Sequence, residues 1–441
     1  MLEVGFARVN ITPQFGVNLQ GYYYERHADG ILDPLYGNVI AVSDGERTAA
    51  LLSLDIIGLQ KSEADRARKV IAERTGIPED AVFLCATHIH TGPAMSPTTD
   101  DPDPVYNKFV YMKLGDAVAL ALADRSEAKL SYSANECKNI SFIRRYRMKD
   151  GSIRTNPGRH NPQIDHPIGA PDETVQLLKI ERRNKPELLL VNFQVHPDVI
   201  GGCKFSADYP GFVRSTLESC LPGVNAVYIN GAQGDTNHID VNCPEWDQNS
   251  GYAHAIHMGR SIAGSVLQIY GKTKPIDSET GVRYTHRDVQ IPSSRVDASK
   301  VREAEKIIAL HESGRDCDIP EKGMGVVTLV AEAYRMKRLE NGPDSFDMSA
   351  WALSFGGFAI AGLPGEPFTQ IGRSVKAASP FEATFFACLT NGSEGYLPTA
   401  NAYEEGGYEA RSSRFRSGVA EILIRSAQEA LAQIHGKCGS K

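Results

Sequence analysis

The chain has 441 residues, of which 41% are hydrophobic and 23% are charged, and its formal net charge is −7 at pH 7. This length and composition are those of a globular protein with a sizeable core, and they exclude a disordered or fibrous chain. Because there is neither a basic stripe nor a run of Lys and Arg, we do not expect the protein to bind nucleic acid.

The N-terminal stretch MLEVGFARVNITPQFG has neither the basic segment nor the continuous apolar segment of a signal peptide. No later window reaches the roughly 18 uninterrupted apolar residues of a membrane-spanning helix. We therefore expect no integral membrane span and a cytoplasmic protein, although a mature secreted form would show the same features. Eight cysteines occur without a Cys-x-x-Cys pair, which predicts mostly free thiols and no cysteine zinc site.

Short apolar runs alternate with longer segments of helical period, which predicts an α/β fold with mixed α+β elaborations. The predicted strands are residues 38–42, 49–55, 81–86, 188–195, 226–230 and 358–363. The predicted helices are residues 62–75, 105–124, 209–220, 252–270, 298–313 and 409–434, and Ser62 with Asp65 has the spacing of a helix N-cap pair. We expect a layered sheet core with flanking helices and an active site at the carboxyl ends of strands.

Two regions interrupt this alternation. Residues 144–172 are polar, rich in Gly, Pro and Asn, and too long for a simple turn, so they form either a linker or a loop that contributes Arg and His to a pocket. We favour the loop. Residues 279–340 carry many charges and predict an inserted helical arm or a peripheral lobe. Neither region marks a clean boundary, so we expect residues 1–441 to form a single domain.

The stretch FLCATHIHTGP ends an apolar strand in His88 and His90. In an extended backbone, residues two apart lie on the same face, so one metal ion could contact both rings, or one ring could bind the metal while the other acts as an acid or base. The alternative is that one or both imidazoles cap the strand end through hydrogen bonds to the backbone. The spacing alone leaves both interpretations open.

Three other apolar runs end in the same way, in LLLVNFQVHP, VYINGAQGDTNH and FAIAGLPGEP. Sites in α/β proteins assemble where such strands end, so we expect these ends to meet. The polar residues that they offer are His196, Gln233, Asp235, Asn237, His238 and Glu366. Taken singly, each is also explained as an ordinary strand-end or turn residue. A Gly-rich segment adds Tyr396, Tyr403 and Tyr408, whose rings could equally pack a loop onto the core.

Five motifs follow one another along the chain: HIHTGP, NFQVHP, QGDTNH, LPGEPFT and GYLPTANAYEEGGYEA. Their content and order resemble the catalytic domain of the neutral, non-lysosomal ceramidases, which are zinc amidohydrolases. The opening GFARVNITP, followed by LQGY, is also similar to the start of that family, so the resemblance runs from near residue 4 to near residue 430. Each motif is weakly specific alone, but five in order indicate a ceramidase-like catalytic domain.

The resemblance implies that a zinc ion is bound by four side chains: His88, His196, Glu366 and Tyr396. It places three more around the scissile carbonyl: His90, Arg144 and Tyr408. Arg145 could align in place of Arg144. The implied function is a zinc-dependent hydrolase in which metal-activated water attacks an amide bond. We expect Asp55 and Asp235 to orient the histidines by accepting their second ring N–H.

Two departures from the family change the expected substrate. Asn237 stands where the ceramidases have an essential serine, and because its amide is no nucleophile, we expect it to bind the carbonyl or the leaving group. The chain also stops after the last helix of the catalytic domain, without the C-terminal immunoglobulin-like domain. We therefore expect a small or medium polar amide rather than ceramide as the small-molecule partner; the sequence does not predict the oligomeric state.

Two alternatives to amide hydrolysis stay open. The first is a metal-dependent relative that cleaves a lactone, an ester or a glycosidic link. The second is a catalytically inactive homologue that only binds a ligand. Retention of all four implied metal ligands favours an enzyme over the inactive homologue.

Overall fold

The larger of the two main β-sheets contains most of the strands whose ends carry the motifs. The computed structural model describes residues 1–95 and 104–436, and in them this sheet has eight main strands, numbered in chain order: β1 (Glu3–Asn10), β2 (Tyr36–Ser43), β3 (Thr48–Leu54), β4 (Val82–Ala86), β5 (Ser126–Glu136), β6 (Thr174–Arg182), β7 (Glu187–Phe193) and β8 (Val224–Asn230). They neighbour one another in the order β8-β7-β6-β5-β1-β2-β3-β4. The pairs β7/β8 and β3/β4 are parallel, and the other pairs are antiparallel.

The second main sheet comes from the C-terminal part of the chain. Its strands, in spatial order, are β9 (Arg283–Pro292), β10 (Ser345–Phe355), β11 (Phe358–Gly362) and β12 (Ala383–Ala387). Only β11 was among the predicted strands. β9 lies inside the segment 279–340 for which we expected a helical arm, so the helical part of that segment is shorter than expected.

The predicted α/β architecture is confirmed, and the helices agree with most predicted segments. They are α1 (Lys61–Thr75), α2 (Pro104–Ala123), α3 (Asp208–Cys220), α4 (Tyr252–Tyr270), α5 (Ala298–Glu312), α6 (Met324–Leu339), α7 (Thr369–Ala377), α8 (Ala400–Glu405), α9 (Tyr408–Ser412) and α10 (Val419–Gly436). The Ser62 cap is wrong, because α1 begins at Lys61 and no side chain caps it.

The single helix predicted over residues 409–434 is two helices. Between α9 and α10, Phe415 forms a β-bridge with Ser293, and the backbone N–H of Arg416 donates to the carbonyl of Pro292. These bonds hold the chain against the end of β9. The tertiary pairing therefore overrides a local pattern that favours one continuous helix.

The two sheets share one apolar cluster, and helices cover their other faces. The shared cluster includes Leu51, Leu190, Ile229, Trp351, Phe358 and Phe385. Because neighbours in a strand point to opposite faces, Ala50 and Leu52 instead pack with α1 and α2. The other half of the larger sheet packs on α3 and α4, and the second sheet packs on α7 and α10. Both sheets are thus fixed relative to each other by buried side chains.

Asn391, in the loop after β12, ties the strand ends of the two sheets together. Its side chain accepts from the N–H of Leu84 (2.9 Å) and donates to the carbonyl of Val82 (3.1 Å). Nearby, the N–H of Cys388 donates to the carbonyl of Asn230 (3.1 Å). The carboxyl ends of β4, β8 and β12 therefore meet; the convergence of β4 and β8 was predicted from the motifs, whereas β12 was not a predicted strand.

The polar segment after residue 144 is folded rather than open. It contains three short strands that form their own sheet, Arg145–Met148, Ile153–Thr155 and Ile164–Pro167. Of the residues expected to enter a pocket, Arg144 packs against Tyr396 beside the histidines, but it does not line the cavity described below. His160 and His166 are exposed, so the expected histidine contribution is wrong.

Among the described residues no helix combines the length and the apolarity that crossing a membrane requires. The seven cysteines in the described part of the chain are free thiols. Cys438 lies outside that part.

Candidate metal centre

His88 follows β4 in an uncommon backbone conformation, with a φ of 74°. Positive φ is rare for residues other than glycine, and such strained residues cluster at functional sites. The backbone is therefore not extended between His88 and His90, and the same-face geometry that we inferred from their spacing is wrong. The two rings are adjacent nevertheless, with centroids 5.1 Å apart.

A backbone carbonyl fixes the orientation of the His88 ring. Nδ1 of His88 lies 2.7 Å from the carbonyl oxygen of Ile57. Because this oxygen can only accept, Nδ1 is assigned the proton, and Nε2 presents its lone pair to the neighbouring side chains. The arrangement is the one by which metal-binding histidines are commonly oriented.

The two aspartates that we expected in that role have other partners, so this expectation is wrong. Asp55 forms a two-pronged ion pair with Arg214 in α3, with N–O distances of 2.8 and 2.6 Å. Asp235 accepts hydrogen bonds from the backbone N–H and the hydroxyl of Thr369, at 2.7 and 2.8 Å. Both carboxylates face helices instead of the histidines.

Three imidazoles form a buried cluster in the described part of the chain. One ring nitrogen from each of His88, His90 and His196 lies within 4.8 Å of the others. Nε2 of His90 is 3.1 Å from Nε2 of His196. Burial lowers the pKa of both His90 and His196 well below the usual range, and the charge of Arg144 lowers that of His196 further. Both imidazoles are therefore neutral, which is the form that binds metal ions.

Glu366 brings a carboxylate to this cluster. Its Oε2 atom lies 3.2 Å from Nε2 of His88 and 3.9 Å from Nδ1 of His196. Burial raises the pKa of Glu366, but His88 and Arg144 outweigh it and hold the pKa below its ordinary value, so the carboxylate is ionised. A lone carboxylate at a strand end is most often exposed to solvent, and we expected this of Glu366 taken alone; the side chain is buried, so that expectation is wrong.

The donor atoms of His88, His196 and Glu366 fit a metal ion. Oε2 of Glu366 and Nδ1 of His196 are buried without a hydrogen-bond partner, which is costly unless a ligand completes them. Zinc bonds of 2.0–2.1 Å in a tetrahedron place ligand atoms about 3.4 Å apart, and the observed separations of 3.2 and 3.9 Å lie on either side of this value. Two imidazoles and one carboxylate are a donor set that zinc takes in enzymes.

Tyr396 lies next to this set. It pairs with Glu366 in a short parallel ladder between Tyr396–Leu397 and Glu366–Pro367. Its ring lies 5.5 Å from that of Tyr408, and the guanidinium of Arg144 lies 5.2 Å from its centroid. Burial raises the pKa of Tyr396 well above its usual range, and the Arg144 charge offsets only part of this rise. Ligation of the metal by the Tyr396 oxygen stays a prediction.

Of the two adjacent arginines, Arg144 faces the cluster. Its guanidinium donates to Glu409 (2.7 Å) and to the carbonyl oxygen of Gly234 (2.8 Å). Arg145 donates to Glu405 (3.2 Å) and lies 3.7 Å from the other oxygen of Glu409. Consecutive side chains alternate in extended backbone, which explains the difference. Glu409 is fully buried, and we did not predict its role in holding Arg144.

The GAQGDTNH loop packs against the segment that carries Glu366. A side chain at Gly234 would collide with the backbone of Glu366, so glycine allows the two segments to pack closely. The amide of Asn237 donates to Asn156 (2.7 Å) and accepts from the N–H of residue 239 (3.0 Å). Neither Asn237 nor His238 is among the residues that line the adjoining cavity, and contact of Asn237 with a substrate stays a prediction without structural support.

We did not predict the surroundings of His90. Its Nδ1 lies 3.6 Å from Oδ1 of Asp198, which also accepts a short hydrogen bond from the hydroxyl of Tyr22. Arg26 lies 4.0 Å from the centroid of the Tyr22 ring and donates to the carbonyl of His90 (2.8 Å). Asp198 directly follows the His-Pro motif and could have been found from the sequence. Nothing in the local pattern around Tyr22 or Arg26 indicates that they lie here.

The cluster opens into a cavity of about 740 Å³, a size that suits a small-molecule ligand. His88, His90, Glu366, Tyr396 and Tyr408 line it. The 20–25 segment, the end of α6 and Arg414 also line it. Tyr403 instead packs against the core with its hydroxyl 3.0 Å from Ser413, which is the alternative that we gave for it.

Comparison with known proteins shows what this fold is similar to. Neither family models nor curated protein sequences give a match. Among solved structures, the neutral ceramidase from Pseudomonas aeruginosa is similar with a TM-score of 0.72 at 17% identity, covering 100% of this chain and 75% of that one. A ceramidase complexed with C2 has a TM-score of 0.72 at 16% identity, covering 99% and 75%. The neutral-ceramidase-like fold predicted from the motifs is thus confirmed.

Proposed function

We propose that the protein is a zinc-dependent hydrolase that cleaves the amide bond of a small or medium polar substrate. The observation that supports this most is the buried group of His88, His196 and Glu366, which has unpaired donor atoms beside a cavity. The likeness in fold to the neutral ceramidase structure is consistent with a hydrolase.

In this proposal the metal is held by His88, His196, Glu366 and, as fourth ligand, Tyr396. A bound zinc ion would act as a Lewis acid and lower the pKa of a coordinated water to about 7. The protein's contribution is a fixed donor set. His88 is oriented by the carbonyl of Ile57, and Glu366 is held by its backbone ladder with Tyr396.

His90 lies between a hydrogen-bond donor, His196, and a proton acceptor, Asp198. If Nδ1 of His196 binds the metal, Nε2 of His196 carries the proton and donates to Nε2 of His90 (3.1 Å). His90 then holds its own proton at Nδ1, which faces Asp198 (3.6 Å). Asp198 therefore positions His90 in one tautomer, and we propose that His90 exchanges a proton with the reacting groups.

Arg144 and Tyr408 supply hydrogen-bond donors near the reacting carbonyl. Arg144 is locked by Glu409, and the Tyr408 hydroxyl lies 3.3 Å from that of Tyr23, so neither needs to reorganise when negative charge develops on the carbonyl oxygen. In such dry, preorganised sites one donor typically contributes about 2.7–4 kcal/mol to lowering the barrier. During hydrolysis the water oxygen bonds to the carbonyl carbon, the C–N bond breaks, and the nitrogen leaves as an amine after taking a proton.

The experiment that tests this proposal is a substrate panel assayed before and after metal removal. The panel contains N-acylated amines, a ceramide, lactones, esters and glycosides. We expect hydrolysis of polar N-acylated amines, loss of that activity on dialysis against a chelator, and its return with about one equivalent of Zn²⁺ per chain, because the ion supplies the Lewis acid. Circular dichroism of the dialysed protein serves as the folding control.

Three results would contradict the proposal. Activity that survives complete metal removal would exclude metal dependence. Turnover confined to lactones, esters or glycosides would favour the alternative bond types, and a metal-loaded, folded protein without turnover on any substrate would favour the inactive ligand-binding homologue.

A further inference from the structure

An exposed arginine, Arg338, lines the cavity at the end of α6 and pairs with no carboxylate among the described residues. The guanidinium of Arg338 takes part in no ion pair among the described residues, and its one hydrogen bond is a long one, from Nε to the carbonyl of Tyr334 (3.4 Å). By contrast, Arg335 on the same helix face donates to Ser294 (2.8 Å) and lies near Glu332 (3.6 Å). Among the three arginines that line the cavity in the described part of the chain, Arg338 is therefore the one without a carboxylate partner.

The carboxylates that line the same cavity are already engaged. Their nearest partners are His27 for Glu25 (3.1 Å), Tyr334 for Glu312 (3.2 Å), His88 for Glu366 (3.2 Å) and Arg414 for Glu394 (3.0 Å). None of them reaches Arg338. The positive charge of Arg338 is thus left for a group that enters the cavity.

A second arginine, Arg414, lies close enough to Arg338 for the two positive charges to interact. Burial lowers the pKa of Arg414, and Arg338 lowers it further, whereas Glu394 acts in the opposite direction. Glu394 pairs with Arg414 (3.0 Å) and not with Arg338, so the guanidinium of Arg338 keeps its positive charge without a carboxylate partner. A guanidinium binds the two oxygens of a carboxylate in a matching planar geometry.

Tyr23 lies between Arg338 and the candidate metal centre. The hydroxyl of Tyr23 lies 3.3 Å from that of Tyr408, whose ring is 5.5 Å from Tyr396. On its other side the Tyr23 ring stacks on Tyr334, one turn before Arg338, with centroids 6.3 Å apart. His311, at the end of α5, lies 2.8 Å from the backbone oxygen of Tyr23 and fixes the helical pair over this segment.

We propose that Arg338, with Arg414 beside it, binds a carboxylate on the substrate, so that the substrate class is an N-acylated amino acid or a similar acylated amine with one negative charge. This inference rests on the proposed function, because it assigns the group next to the amide that is cleaved. One unpaired guanidinium matches one negative charge, which favours a carboxylate over a doubly charged phosphate. The amide lies at the histidines and the carboxylate lies beyond Tyr23.

The test compares two probes that differ only in this charge, N-acetyl-phenylalanine and its carboxamide. We expect the wild-type protein to favour the carboxylate, and we expect the Arg338→Gln protein to lose this preference through a KM about 10-fold higher for the carboxylate, with kcat nearly unchanged. Arg338→Lys should restore part of the preference. Arg302→Gln is the matched control, because Arg302 is an exposed arginine of α5 that does not line the cavity.

Binding measured without turnover separates this inference from the proposed function. Calorimetric titration of both probes into metal-free protein should show tighter binding of the carboxylate, and Arg338→Gln should abolish the difference. Charge-dependent binding without hydrolysis of any amide would contradict the proposed function and support the anion site. Amide hydrolysis with the same KM values in Arg338→Gln and Arg302→Gln would overturn the anion site and leave the proposed function standing.

Discussion

The Glu366→Gln protein is expected to lose its bound metal and at least about 1,000-fold in kcat/KM, since the ion contributes several kcal/mol of transition-state stabilisation. Glutamine has nearly the same shape, so the backbone ladder with Tyr396 should persist. Glutamine at this position lacks the negative charge that the carboxylate places 3.2 Å from Nε2 of His88. Metal content by mass spectrometry and steady-state kinetics measure the two effects.

Glu312→Gln is the matched control for metal content. Glu312 also lines the cavity, but it contacts Tyr334 and not the histidines. Its replacement should leave the metal at one ion per chain. If Glu366→Gln retains the wild-type amount of metal, the donor set that we assign is wrong, whatever happens to activity.

Replacement of Asp55 by alanine is expected to have the largest effect on stability, lowering the free energy of unfolding by about 3–5 kcal/mol. The side chains of Asp55 and Arg214 are 0% and 4% exposed, so removal of one partner leaves a buried charge without compensation. The N–H of Tyr36 also loses its acceptor, which lies at 2.8 Å. A loss of this size is a large part of the 5–15 kcal/mol by which domains are typically stable.

Equilibrium unfolding in urea, followed by circular dichroism, measures this loss. Asp65→Ala serves as the control. Asp65 pairs with Lys61 and Arg68, and Arg68 keeps Asp80 and the carbonyl of Glu79 as partners, so removal of Asp65 should cost no more than about 1 kcal/mol. The double variant Asp55→Leu/Arg214→Met removes both charges and should recover much of the lost stability. If Asp55→Ala unfolds at the same urea concentration as Asp65→Ala, the buried pair does not stabilise the fold.

The strands whose ends carry the motifs could be predicted because the pattern that indicates each strand lies within its own short segment of sequence. Runs such as LLLVNF are buried on both faces, so their period and length already indicate a central strand. The polar ends of β4, β7 and β11 then point to a shared site, and the structure brings His88, His196 and Glu366 together there. Convergence of strand ends follows from the fold class alone.

The parts that could not be predicted depend on contacts between distant segments. β10 contains Ser349 and Ser354 among its apolar residues and reads as a strand only beside β9 and β11. Asp55 is a plausible partner for a histidine until α3 places Arg214 against it. Glu409 and Asp198 likewise acquire their roles from Arg144 and His90, which lie 265 and 108 (198 − 90) positions away along the chain.

The most direct test of the central claim is the position of the metal in crystals of the zinc-loaded protein. We predict a single strong peak in the anomalous difference map above the zinc edge, bonded to His88, His196 and Glu366 at about 2.0–2.2 Å. The map also shows whether Tyr396 completes the coordination. A map without a peak among these three residues, or with its strongest peak elsewhere in the molecule, would contradict the account.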